Sequence, residues 1–265
     1  MERLRGSDPI SLPEEFASGL AVTRDRLGIF AQQILWYSEV GSTNDLAGAM
    51  ADRNAAEGLV VLADRQTAGR GRLGRTWASP SGAGIYASVV LRPSVTVATL
   101  LTIAAGVAVA EGIASATGLS PHVKWPNDVH VGGRKLAGIL AEGAVGHVVL
   151  GIGINVQSAA YPPDVAARAT SIEAELSCPV DRGLVLAECL AALASRYREL
   201  QSGRGGQVVD AWRRRAAPML GRRVEWESAG TYQVGLAENI DDDGALIVKV
   251  GGQTQKIRSG EVRWL

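Results

Sequence analysis

The chain divides by the rhythm of its apolar and polar positions. From residue 34 to about 156, short apolar runs alternate with polar, glycine-rich loops, as strands do when one or both faces are buried. ILWYSEV (Ile34–Val40), GLVVLADR (58–65) and the run 84–92, where Ile85, Ala87 and Val89 alternate, predict three strands. HVKW (122–125), LAGILAE (136–142) and VVLGIGINV (148–156) predict three more, with turns at Gly132-Gly133 and at Gly146. Ser42-Thr43-Asn44-Asp45 reads as a helix start, with hydroxyls placed to cap and an acid in the first turn. Leu46, Ala49 and Met50 then follow at helical spacing to about residue 55. Helices are also predicted over 95–118, 183–200 and 208–216, and a short one around 20–29. The stretch 157–182 holds Pro162, Pro163 and Pro179 and reads as loop. After Pro218 come five short alternating stretches, RRVEWES, TYQVGLAEN, GALIVKV, QTQKIRS and EVRW. Turns at 228–230, 242–244 and Gly251-Gly252 separate them, the pattern of a small β-barrel.

Three units follow from this reading: an N-terminal extension over 1–30, an α+β unit over 31–217 and a barrel over 218–265. The extension is too short for an independent helix-turn-helix domain. The run 95–118 is long enough, at about 20 residues, to cross a bilayer, but Glu111 interrupts it and Ala, Gly and Thr make up its bulk. A packed core helix is the better expectation.

Composition narrows the classes. Lys and Arg number 27 against 27 Asp and Glu, so net charge is zero. A general nucleic-acid binder draws its affinity from a basic excess that is missing here. Hydrophobic residues at 46% with 20% charged describe a globular chain. Cys178 and Cys189 lie outside any CxxC, and no N-terminal run reads as a signal peptide, so a reducing, cytoplasmic setting is expected. Only four of the 27 cations are lysines, Lys124, Lys135, Lys249 and Lys256, and two of these fall among the motifs below.

The chemistry is concentrated in GRGRLGRTW, Gly69 to Trp77, with three Gly and three Arg and no acid. It satisfies GxGxxG, but a dinucleotide fold needs a helix directly behind the glycines. The continuation RTWASPSG has no helical period. Glycines also let backbone N–H groups approach a phosphate, and Arg forks bind phosphate or carboxylate bidentately. Arg70, Arg72 and Arg75 can then close over a polyphosphate or acyl phosphate while Trp77 stacks on a purine. A solvated surface loop is the plainer alternative, and three Arg without a counter-acid argue against it. In HVKWPND (122–128) the turn sets Lys124 and Asp128 to face one cavity, with Lys135 one hairpin away. A plain hairpin with a Lys124–Asp128 ion pair is the alternative. In GIGIN, Gly151 and Gly153 permit close ligand approach and Asn155 can reach a nucleotide, although a strand bulge would explain the glycines equally well. His122, His130 and His147 share no metal-ligand spacing with one another or with the cysteines, so no side-chain metal cluster is expected.

The ordered set GSTN (41–44), RQTAGRGRLGRTW (65–77), KWPND (124–128), KLAGIL (135–140) and GIGIN (151–155) resembles the biotin protein ligases. The resemblance covers about residues 34–265. It implies a class II aminoacyl-tRNA-synthetase-like α+β domain with a mixed, mainly antiparallel sheet, and a C-terminal SH3-like barrel. It implies ATP and Mg²⁺, biotin as substrate, a biotinyl-5′-AMP intermediate, and a lysine of a biotin carboxyl carrier domain as acceptor. Ser42, Thr43, Asn44 and Gln66 would then line the biotin ureido end, with Arg70, Gly71 and Arg72 ordered over biotin and adenylate. Trp77 would pack on adenine, Lys135 would hold the biotin carboxylate or adenylate phosphate, and Lys124 would assist the phosphate. Asp128 would orient or deprotonate the acceptor lysine, and Arg75, Gly151, Gly153 and Asn155 would stand near the nucleotide. Leu73 departs from the family, which often has another Arg there. Repressor-type members carry an N-terminal winged helix that this sequence lacks, so ligase activity without operator binding is expected, by a monomer or homodimer, with no nucleic-acid or membrane partner. A lipoate or octanoate ligase shares the adenylation logic, but no RRxGGGxVxHD-like run occurs. A nicotinamide-dependent oxidoreductase rests on GxGxxG alone, and a pure binding module leaves the first two hundred residues unexplained.

Overall fold

A computed structural model describes residues 8–228 and 230–265, so residues 1–7 of the expected extension and Ala229 of the expected 228–230 turn lie outside it. Strands β1 (Ile34–Val40), β2 (Val60–Gln66) and β3 (Gly84–Leu91) lead into the helices α3 (Val95–Ala98) and α4 (Leu101–Thr117). Then come β4 (His122–Lys124), β5 (Asp128–Val131), β6 (Arg134–Ala144) and β7 (His147–Asn155). The seven form one sheet in the order β1-β2-β3-β7-β6-β5-β4. Only β1 and β2 run parallel; the other pairs are antiparallel. Gly132 (φ 56°) and Gly133 (φ 78°) make the β5–β6 turn, both in the left-handed region that such two-residue hairpins require.

Strand alternation divides the sheet into two faces. Ile85, Ala87, Val89 and Leu91 of β3, with Leu150, Ile152 and Ile154 of β7, enter the main core. The helices α1 (Glu14–Thr23), α4, α6 (Arg182–Gln201) and α7 (Gly205–Ala216) pack over that face. Their approach is close enough to exclude side chains. A Cβ at Gly112 of α4 would stand 2.4 Å from the backbone of Cys189 in α6. On the opposite face α2 (Thr43–Ala51) covers one end, with Ala47 and Ala51 against Val61, Val90 and Val149. Beyond α2 no helix covers that face, and the loop that carries Trp77 lies on it.

The structure corrects several expected elements. The first helix spans Glu14–Thr23 rather than 20–29, because Pro13 sets its start and two 3₁₀ turns follow it. The run 95–118 is two helices, broken at Thr99-Leu100 and ended by Gly118 at φ 74°. The loop 157–182 contains α5 (Ile172–Leu176), anchored by the buried Ile172. Asp128, read as the last residue of a turn, instead begins β5 (Asp128–Val131), a strand not predicted, which lies between β4 and β6. Among the described residues no helix is long and apolar enough to cross a membrane.

The C-terminal strands β8 (Arg223–Ser228), β9 (Thr231–Ile240), β10 (Leu246–Val250), β11 (Gln253–Ile257) and β12 (Val262–Trp264) form an antiparallel sheet ordered β11-β10-β9-β8-β12. Its Val224, Trp226, Ala237 and Leu246 belong to the same core as the helices. The Trp125 indole N–H donates to Gly244 O at 2.9 Å across the junction.

Gly112→Ala sets two effects against each other. Helix propensity favours Ala by about 1 kcal/mol, whereas overpacking costs about 1–3 kcal/mol. Urea denaturation should show net destabilisation. Gly206→Ala in α7, where a Cβ meets nothing, should be neutral or stabilising by up to about 1 kcal/mol.

Candidate active site

One row of partners crosses the open face: Ala63, Tyr86, Gly153, Gly138, Asp128 and Lys124 lie in register across β2, β3, β7, β6, β5 and β4. At its centre the two glycines leave a trough, and the Trp77 indole lies in it. A Cβ would stand 2.5 Å from that ring at Gly153 and 2.9 Å at Gly138. At Gly151 a Cβ would stand 2.4 Å from Asn44 Oδ1. The register of β7 is unbroken against both neighbours, so close approach, not a bulge, explains these glycines. The Trp77 indole N–H is buried and finds no acceptor among the described residues.

The loop carrying Trp77 folds back as a tight hairpin. Gly71 N–H donates to Arg75 O at 2.7 Å and Trp77 N–H to Gly69 O at 2.9 Å, with Leu73 (φ 56°) and Gly74 (φ 72°) at the tip. No α-helix opens behind the glycines, so the dinucleotide reading of GxGxxG fails on geometry.

Neutral hydrogen-bonding groups fill the end near α2. Gln66 Oε1 accepts from Thr43 N–H (2.8 Å) and Thr43 Oγ1 (3.0 Å), while Gln66 Nε2 donates to Ser79 Oγ (2.8 Å). Ser88 Oγ donates to Asn44 Oδ1 at 2.6 Å and lies 2.7 Å from Thr43 Oγ1. Asn44 Nδ2 donates to Glu142 Oε2 at 2.6 Å. Ser42 occupies the N-cap position of α2 without a side-chain capping bond. Sequence reasoning missed Ser79, Ser88 and Glu142. A signal existed for Ser88, the one small hydroxyl-bearing residue inside the wholly buried strand GIYASVVL.

The cations do not stand unpaired, contrary to the expectation for the loop. Arg70 is forked by Asp45 (2.5 Å) and Glu142 (2.9 Å), and Arg75 pairs with Glu261. Arg72 donates to Asn127 Oδ1 (3.1 Å) and Gly260 O (3.2 Å). Burial lowers its guanidinium from the ordinary value, with Asp128 and Glu261 opposing and Arg75 assisting. Lys135 Nζ lies 2.7 Å from Asp128 Oδ1 and 5.2 Å from the centre of the Trp77 ring. The expected Lys124–Asp128 alternative is thus replaced by a Lys135–Asp128 pair. Burial pushes the Asp128 carboxyl up, but His130 and Lys135 outweigh it and hold the group below its ordinary range. Burial lowers the Lys124 ammonium, against the pull of Asp128 and with help from Lys135 and Arg222. Asn155 Nδ2 donates to Thr170 O at 3.0 Å, fastening the segment whose Arg168 O accepts from Lys135 N–H. Lys249 and Lys256 pair with Glu238 and Asp241 in the C-terminal sheet. Among the described residues no group of three or more His, Cys, Asp or Glu can hold a metal ion.

Comparison with known proteins places this geometry. The profile of the Biotin/lipoate A/B protein ligase family matches residues 38–157, and that of the Biotin protein ligase C terminal domain matches 219–263. The biotin--[acetyl-CoA-carboxylase] ligase of Mycobacterium tuberculosis is 39% identical, over 85% of this chain and 86% of its own. The bifunctional ligase/repressor BirA of Bacillus spizizenii is 35% identical, over 88% and 74%. The chain belongs to the biotin protein ligase family. Among solved structures, the biotin protein ligase from Aquifex aeolicus in complex with biotin and ATP superposes with a TM-score of 0.74 at 28% identity, covering 88% of this chain and 99% of that one. The chain is therefore a ligase that uses ATP to make biotinyl-AMP, on an α+β fold with a mainly antiparallel sheet.

Two outcomes follow for this ligase. Gly153→Ala should lift Trp77 from the trough and weaken ATP or adenylate binding by tenfold or more, read by isothermal calorimetry, while the far-UV spectrum is kept. His122 is held neutral by burial, then by His130, Arg222 and Lys124, with its pKa at about 4. Its folded value lies below the ordinary ~6.5, so its stabilising share is complete above that pH and is lost as pH falls towards 4. Urea midpoints between pH 7 and 4.5 should drop less in His122→Gln than in the parent.

Proposed function

We propose that the trough is where biotin and the adenylate lie, ureido end towards Thr43, Asn44, Gln66 and Ser42 and carboxylate towards Lys135. One observation carries this: neutral hydrogen-bonding groups gather over Gly151, and two residues further along β7 the floor gives way to Lys135, Asp128 and Trp77. An uncharged urea needs neutral partners, and a carboxylate becoming a phosphoanhydride needs a cation. Lys135 steadies the attacking carboxylate oxygen and the α-phosphate as the α–β phosphate bond breaks and pyrophosphate leaves. Lys124 supplies a second charge, and its partly buried setting strengthens that charge's attraction for a phosphate, even as burial lowers the ammonium's pKa. Trp77 presents its face to adenine. Arg70, Gly71 and Arg72 cover the intermediate and keep out water, with Arg75, Gly153 and Asn155 bordering the nucleotide. Magnesium reaches such a site on the nucleotide phosphates, since the side chains of the described residues offer no cage.

The acceptor is a lysine of a biotin carboxyl carrier domain, which Asp128 orients. A protein acceptor also suits a chain of zero net charge better than nucleic acid does. Free Cys178 and Cys189 fit a reducing cytoplasm.

The test is incubation with biotin and α-labelled ATP, with and without a carrier domain. Labelled biotinyl-AMP should form in both and be consumed in the second; no adenylate in either would refute the reading. Lys135→Ala should lower adenylation about 10²–10³-fold with the circular dichroism spectrum unchanged.

A further inference from the structure

His130 takes no part in the assignments above, yet it sits directly behind Asp128. It is buried in β5, with Nδ1 3.3 Å from Gly133 O and Nε2 4.0 Å from Asp128 Oδ2. A carbonyl oxygen only accepts, so the neutral ring places its hydrogen on Nδ1. Nε2 is then a buried lone pair facing a carboxylate, and it has no hydrogen-bond partner among the described residues. A neutral ring cannot satisfy both sides, because each neighbour is an acceptor. A second proton at Nε2 removes the conflict, and an approach of about 1 Å makes a charge-assisted bond of ordinary length.

We propose that His130 is a positioning residue for the transfer half-reaction, accepting through Asp128 the proton that the acceptor lysine must lose. The inference rests on the biotin ligase reading. The acceptor ammonium gives one proton to Asp128, which passes it to His130 Nε2. The free amine attacks the acyl carbon of biotinyl-AMP, the carbon–oxygen bond to phosphate breaks, and AMP leaves with the electron pair. The second amine proton departs on the AMP phosphate. Asp128 alone is a poor store, because Lys135 occupies its other oxygen at 2.7 Å.

The charges around the ring set the sign. On β4 stand His122, whose ring is 5.8 Å away, and Lys124; on β6, Arg134 and Lys135. Arg222 adds a further cation acting on His122 and Lys124, whereas Glu175 of α5 pairs with Arg134. Asp128 is thus the acid nearest the ring, among groups that are mostly cations.

Single-turnover transfer from preformed biotinyl-AMP to a biotin carboxyl carrier domain, followed from pH 5 to 9, tests this in the parent, His130→Asn and His130→Gln. Asn keeps a donor for Gly133 O without a base at Nε2. The parent should lose rate as pH falls across this range. Both variants should lose that limb and transfer roughly tenfold more slowly at pH 7.5, with adenylation reduced far less. An unchanged limb in the variants, or an equal fall in both half-reactions, would overturn the role. No limb in the parent would overturn it even if neither variant folds. No transfer at all by the parent would instead overturn the ligase reading beneath it.

Discussion

Three missing side chains, at Gly138, Gly151 and Gly153, set the depth of the open face. With a Cβ at any of them, Trp77 or Asn44 would have to rise off the sheet. Glycine within a strand costs roughly 0.5–1 kcal/mol, and here the opposite face absorbs that loss. Ala137, Ile139, Ile152 and Ile154 alternate with the glycines and enter a fully buried core. The same two strands are therefore stiff on one side and bare on the other, which is what a site for a flat, narrow ligand needs.

The electrostatics follow from the same economy of space. The loop arginines and Lys135 each have an acid or a carbonyl beside them, so most of the cationic charge over the trough is already offset. Exposed ion pairs such as Arg70–Asp45 and Arg75–Glu261 are worth about 0–1 kcal/mol each. They can be exchanged for phosphate contacts at little cost, which keeps the loop arginines available. Lys135–Asp128 is different, because Asp128 is partly buried and its second oxygen faces His130. When Lys135 turns to a substrate anion, that carboxylate is left with Lys124 and Arg72 as the cations acting on it and His130 Nε2 4.0 Å from its second oxygen.

Much of this was legible in the residues. Alternation located β1, β2, β3 and β7, and Gly132-Gly133 located a hairpin whose two positive φ angles require glycine. KLAGIL was recognisable as a strand, and GIGIN as a strand whose glycines permit close approach, but their registration opposite each other is a long-range fact. Trp-Pro-Asn-Asp reads locally as a turn, so β5, paired on both sides, was hidden by the residues that begin it. The counter-acids of the loop lay beyond any local window: Glu142 and Glu261 stand far along the chain from Arg70 and Arg75. A lone serine in an apolar strand was visible, yet its purpose depends on Thr43 and Asn44, which only the packing of α2 brings to it.

The C-terminal sheet completes the site in two ways that have one physical origin. Gly244 receives the Trp125 N–H and approaches Leu100 and Ile103 so closely that a Cβ there would stand 3.2 Å and 3.1 Å from them. That contact fixes the sheet against α4 and against the turn following Lys124. Once fixed, its loop at Gly260 and Glu261 lies where Arg72 and Arg75 can reach it. The glycine loop is thereby held at both ends, by Asp45 and Glu142 near α2 and by the C-terminal loop beyond Arg72. The loop's own hydrogen bonds between Gly69 and Trp77 and between Gly71 and Arg75 fix its hairpin shape, whereas its position over the trough is set by these distant anchors. Separating the C-terminal sheet would leave Trp125 without its acceptor and the loop with one anchor, which makes the sheet part of the site and not an appendage to it.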